Sequence, residues 1–75
     1  MNDTHNPAVG DPIASERLEN ERKVFFLYLK ENQRGRFLKI TEDVGGRRDA
    51  IMVPAAGLQD FLKAFRRLTD YESTL

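Results

Sequence analysis

The sequence has no cysteine and a single histidine, His5. Without thiols neither a disulfide framework nor a thiolate metal site can form, and one histidine in a polar N-terminal stretch does not make a zinc site. Cysteine nucleophiles and a well-placed imidazole base are missing as well, and no carboxylate pair sits where a pocket is evident. The chain reads as a non-enzyme with no metal and no cofactor. No apolar run approaches the roughly 20 residues that a membrane helix needs. The opening MNDTHNPAVGDP lacks the basic start and apolar centre of a signal peptide. A cytoplasmic, or at least intracellular, protein with no membrane partner is expected.

Net charge is absent too, with 12 lysines and arginines against 12 aspartates and glutamates. Neutrality ordinarily argues against a nucleic-acid partner, because phosphate binding rests on lysine and arginine. Here the charges are segregated. Residues 1–21 carry one basic and five acidic side chains, residues 22–48 eight and three, and residues 49–75 three and four. Charges more than about 8 Å apart are screened from one another at physiological salt, so a middle third at +5 can build a positive surface on a neutral chain.

At 75 residues there is length for one domain. Such a domain buries only about 60% of the surface its unfolded chain exposes. With disulfides and metals gone, a second copy of the chain is the remaining means of support.

Residues 1–12 are polar, with two prolines and almost no apolar periodicity, and read as a disordered tail. The folded unit is expected over 13–69, with a frayed end at 70–75. Residues 13–19 alternate weakly around Ile13 and Leu18. Val24-Phe25-Phe26-Leu27-Tyr28-Leu29 is a run of strand-forming residues. Asn32-Gln33-Arg34-Gly35 has the composition of a turn, and residues 36–42 alternate as the returning strand. Gly45-Gly46 is a second turn, and Ala50-Ile51-Met52-Val53 a strand closed by Pro54, which cannot donate to a ladder. The period then changes: Leu58, Phe61, Leu62, Phe65 and Leu68 form one stripe of an amphipathic helix and a core or dimer contact. A block of four antiparallel strands followed by one C-terminal helix is an α+β arrangement.

The strand at 24–29 is apolar on both faces. Phe25, Leu27 and Leu29, with Leu38 and Ile40, are expected to pack on the helix, since that set has no charged member. Val24, Phe26, Tyr28 and Lys30, with Phe37 and Lys39, need another cover. A second subunit, a stacked base or open solvent are the three candidates. Rings interleaved with cations suit an unpaired strand, whose bases stack while lysine and arginine follow the phosphates. A dimer interface also favours Phe, Tyr and Arg.

Residues 30–40, KENQRGRFLKI, concentrate this chemistry. Lys30 and Arg34 can meet phosphate, Asn32 can donate and accept at a base edge, and Phe37 offers a ring face. By itself a basic hairpin reads more readily as a solvated turn, because charged residues favour loops. This stretch, preceded by Lys-Val-Phe-Phe-Leu-Tyr-Leu at 23–29, closely resembles the repeat of the PUR family of purine-rich-element binding proteins, with similarity from about residue 13 to residue 68. The resemblance implies a Whirly-like repeat of four strands and a helix, two of which intertwine. With length for one repeat over 13–69, it implies a homodimer. It further implies binding of single-stranded DNA or RNA, often purine-rich, by a regulator of transcription or translation. Lys30, Asn32, Arg34 and Phe37 match the family's contact pattern, and Arg36 and Lys39 adjoin it as phosphate contacts. The acidic stretch at 16–21 does not suit a phosphate-binding surface. A dimerisation module that binds only protein is the alternative.

Overall fold

The computed structural model describes residues 11–75. Residues 1–10 of the expected tail lie outside them. Four strands follow in order: β1 (Ala14–Asn20), β2 (Lys23–Asn32), β3 (Gly35–Val44) and β4 (Arg47–Pro54). They form one antiparallel sheet in the order β1-β2-β3-β4. A 3-10 turn (Ala55–Gly57) then leads into a helix, α1 (Leu58–Glu72). The four-stranded antiparallel sheet and single C-terminal helix expected from the alternating periods are therefore present.

Two-residue loops set the register. At Gly45 and Gly46 φ is 59° and 88°, the paired positive values that a type I′ hairpin demands and that glycine adopts without a Cβ clash. Asp43 fastens this corner: its carboxylate accepts the Gly46 N–H at 3.2 Å and binds Arg48 Nε at 2.9 Å. The tight loop extends β4 back to Arg47, three residues before the strand expected from Ala50. Pro54 ends β4, and α1 begins four residues later with Asp60 in its first turn, where a carboxylate suits the helix dipole. The helix continues to Glu72, past the expected end at 69; Thr69 Oγ1 donates to the Phe65 carbonyl at 2.8 Å within it.

The register pairs Leu27 with Ile40 and Ile40 with Ile51, and Leu29 with Leu38, so one face of the sheet is a continuous apolar surface. The sequence assigned this face to the helix. The structure corrects that expectation. The apolar stripe of α1 and the apolar sheet face look onto one open cleft of about 670 Å³, lined by Leu18, Phe25, Leu27, Leu38, Ile40 and Ile51 from the sheet and Leu58, Phe61, Leu62 and Phe65 from the helix.

Among the described residues no apolar side chain is buried, and Thr41 is the only buried residue. Phe65 remains 64% exposed and Leu68 71%. The proposed core of Leu58, Phe61, Leu62, Phe65 and Leu68 is thus not closed within one chain. The helix hangs from the edge strand β4 by a short turn and stands off the sheet. Helical periodicity specified which face of α1 is apolar, not what it packs against.

Candidate nucleic-acid interface

The second face of the sheet is assembled by cross-strand pairing. Lys30 lies opposite Phe37, Tyr28 opposite Lys39, and Phe26 opposite Thr41. Strand alternation puts all six on one side, so Lys30, Phe37 and Lys39 come together from sequence positions that the loop at 33–34 folds back on each other. Phe26, Tyr28, Lys30, Phe37 and Lys39 are half-buried, held by the sheet but open to a ligand.

Asn32 and Arg34 occupy the tip of the same hairpin. Asn32 Oδ1 accepts the Arg34 backbone N–H at 2.8 Å, fixing the loop while the amide NH₂ group points to no acceptor among the described residues. Gly35, at φ 125°, takes a backbone angle that other residues rarely adopt and lets the chain reverse in two residues. A shallow depression of about 270 Å³ lies here, with Asn32, Arg34, Arg36, Phe37 and Met52 among its lining residues.

Charge pairing separates the cations. The ion pairs among the described residues are Arg17–Glu19, Lys23–Glu42, Arg36–Glu31 and Arg48–Asp43. Lys30, Arg34 and Lys39 are in none of them, so their charge is available to a polyanion. Arg36 is placed differently. It pairs in register with Glu31 on the opposite face of the sheet, where Arg36 Nε lies 3.8 Å from the Glu31 carboxylate. Of the six residues singled out in the sequence, three share one sheet face, two stand at the hairpin tip, and Arg36 pairs with Glu31 across the register while still lining the depression at that tip.

One contributor went unnoticed in the sequence. Phe26 and Tyr28 lie with ring centroids 6.1 Å apart and planes within 2°, and the Arg48 guanidinium sits 5.5 Å from the Phe26 centroid. Arg48 reaches that ring because the Gly45-Gly46 turn pairs it with Asp43, which in turn lies opposite Val24. The double-glycine signal was visible in the sequence, and the register it imposes carried this information.

A sheet face bearing rings and cations that have no carboxylate partner among the described residues, with a basic hairpin at its end, can offer stacking surfaces to bases and charge to phosphates. The family model described as PurA ssDNA and RNA-binding protein matches residues 1–74. The chain belongs to the PurA family. Among its relatives, Transcription factor Pur-alpha 1 of Arabidopsis thaliana is 42% identical over 60 residues, covering 80% of this chain and 20% of that protein. Transcriptional activator protein Pur-alpha of Homo sapiens is 38% identical over 65 residues, 77% of this chain and 20% of the relative. Transcriptional regulator protein Pur-beta of Homo sapiens is 38% identical over 73 residues, with coverages of 77% and 23%. The PurA-family chain thus spans about a fifth of the length of these relatives. The family description and the relatives' names are those of nucleic-acid-binding transcription factors and regulators, not of enzymes.

Proposed function

We propose that this PurA-family protein binds single-stranded DNA or RNA, with a preference for purine-rich sequence, through the β2–β3 hairpin and the adjoining sheet face, and that it does so inside the cell as a homodimeric regulator of transcription or translation. The observation that carries this reading is the set Lys30, Arg34 and Lys39, without carboxylate partners among the described residues, near the ring of Phe37. Phosphates follow the cations, and a base stacks on Phe37 for about 1 to 3 kcal/mol. Purines offer the larger face for that stack. Unpaired strands are favoured because a duplex hides its base faces.

The open cleft supports the homodimer. An apolar sheet face and an apolar helix stripe in one chain, neither covered, are mutually complementary between two copies. Two chains can exchange helices about a two-fold axis, each α1 closing the sheet of its partner in an intertwined, Whirly-like pair. In that arrangement Leu58, Phe61, Leu62, Phe65 and Leu68 form the shared core.

Phe37→Ala tests this reading against the alternative of a module that binds only protein. It weakens binding of a purine-rich oligonucleotide and leaves the dimer intact if Phe37 stacks a base. A weakened dimer with unchanged oligonucleotide binding would assign the ring to a protein interface instead.

A further inference from the structure

Resting on the single-strand reading above, we infer that Tyr28 supplies the second wall of a base clamp, in which a nucleobase inserts between the outer ring face of Tyr28 and the ring of Phe37. Tyr28 lies outside the hairpin contact pattern.

The stack on the open side of the sheet has a beginning and an end. Arg48 covers one face of Phe26 at 5.5 Å and is held there by Asp43 at 2.9 Å. The parallel ring of Tyr28 stacks with Phe26 at 6.1 Å; by register Tyr28 follows Phe26 along β2, whereas Arg48 is opposite Asp43 and so level with Val24, which precedes Phe26. Phe26 therefore has a neighbour on each side along the strand. Tyr28 has one on its Phe26 side, and its outer face looks along β2 toward Lys30, whose cross-strand partner is Phe37.

Tyr28 and Phe37 are thus diagonal neighbours on adjacent strands. Such positions are about 7 to 8 Å apart, and a planar ring between two others needs two contacts of about 3.5 Å. The two rings are not in contact with each other, whereas Phe26 and Tyr28 are. That general cross-strand spacing is of the size that one intercalated base requires.

The cations complete the arrangement. Tyr28 pairs with Lys39 and Lys30 pairs with Phe37, so the four side chains form a square with rings on one diagonal and ammonium groups on the other. Neither lysine has a carboxylate partner among the described residues. A base on the ring diagonal leaves the phosphates on its two sides facing Lys30 and Lys39. Charge complementarity at the rim and a π-faced gap at the centre select a single-stranded nucleotide over an aliphatic protein side chain.

The test uses the full chain and a purine-rich single-stranded DNA of about 12 nucleotides, within the range of one such site. Tyr28→Phe keeps the ring and should hold affinity within about twofold. Tyr28→Leu keeps apolar cover but removes the ring, and should weaken binding about 5- to 150-fold, the range for one lost stacking contact. In a Tyr71→Phe background, Tyr28 is the only tyrosine, and its fluorescence should be quenched by the oligonucleotide. The double variant Tyr28→Leu/Phe37→Ala should lose less than the product of the single losses, because both rings hold one base. If Phe37→Ala weakens binding while Tyr28→Leu does not and no quenching occurs, the clamp is refuted and the hairpin site stands. If wild-type protein does not bind the oligonucleotide, the underlying reading fails first. If Tyr28→Leu dissociates the dimer and leaves affinity unchanged above its dissociation constant, the face is a protein interface and the clamp is overturned.

Discussion

Replacing Phe65 by alanine asks whether a second copy closes the cleft. Phe65 is 64% exposed in the single chain, although it sits in the middle of the apolar stripe of α1. A phenylalanine can bury about 200 Å², so about 130 Å² of this ring remains for a partner to cover. At about 25 cal/mol per Å² that burial stabilises a dimer by about 3 kcal/mol per copy, and the two-fold axis presents the residue twice. Alanine recovers part of the area, which leaves an expected loss of about 4 kcal/mol, or about a thousandfold in the dimer dissociation constant. Sedimentation equilibrium over a dilution series of wild type and variant measures it directly. Far-UV circular dichroism should fall as the variant dissociates, because no apolar side chain among the described residues is buried without a partner. A change of less than about tenfold in Kd, or a fully folded monomer, would refute the helix-exchange argument.

Two further outcomes follow from particular contacts. Arg36→Ala should weaken oligonucleotide binding and flatten its salt slope less than Arg34→Ala does, because Arg36 is paired with Glu31 although it lines the depression at the hairpin tip; equal losses would show that the Glu31 pair gives way to phosphate. Gly46→Ala should cost about 1 to 2 kcal/mol in urea denaturation, since φ is 88° there and a Cβ is strained even though open space surrounds it. An unchanged midpoint would mean that the β3–β4 loop relaxes freely.

Alternation and the amphipathic stripe made β2, β3, β4 and α1 readable from the sequence. β1 gave a weaker signal for a physical reason: it is an edge strand exposed along its whole length, and Leu18, opposite Phe25, is its only large apolar residue on the apolar face, which it shares with Ala14, Glu16 and Asn20. Its turn carries no glycine. Glu21 takes the left-handed conformation itself, at φ 59°, so the usual punctuation between β1 and β2 is missing. At the site, alternation was enough to group Lys30, Phe37 and Lys39. Placing Arg36 beside Glu31 and Arg48 over Phe26 required the cross-strand register, which depends on the lengths of two loops. The seat of α1 was least legible, because its apolar stripe is equally suited to its own sheet and to that of another copy.

Single-strand recognition at the β2–β3 hairpin is most directly tested by a salt titration of oligonucleotide affinity for wild type and the triple variant Lys30→Ala/Asn32→Ala/Arg34→Ala, with the dimer verified intact. Each lost phosphate contact on a single strand lowers the slope of log affinity on log salt by about 0.7, so losing Lys30 and Arg34 should flatten it by about 1.4 and weaken binding at every salt concentration. Equal affinity and equal slope for the two proteins would contradict the account.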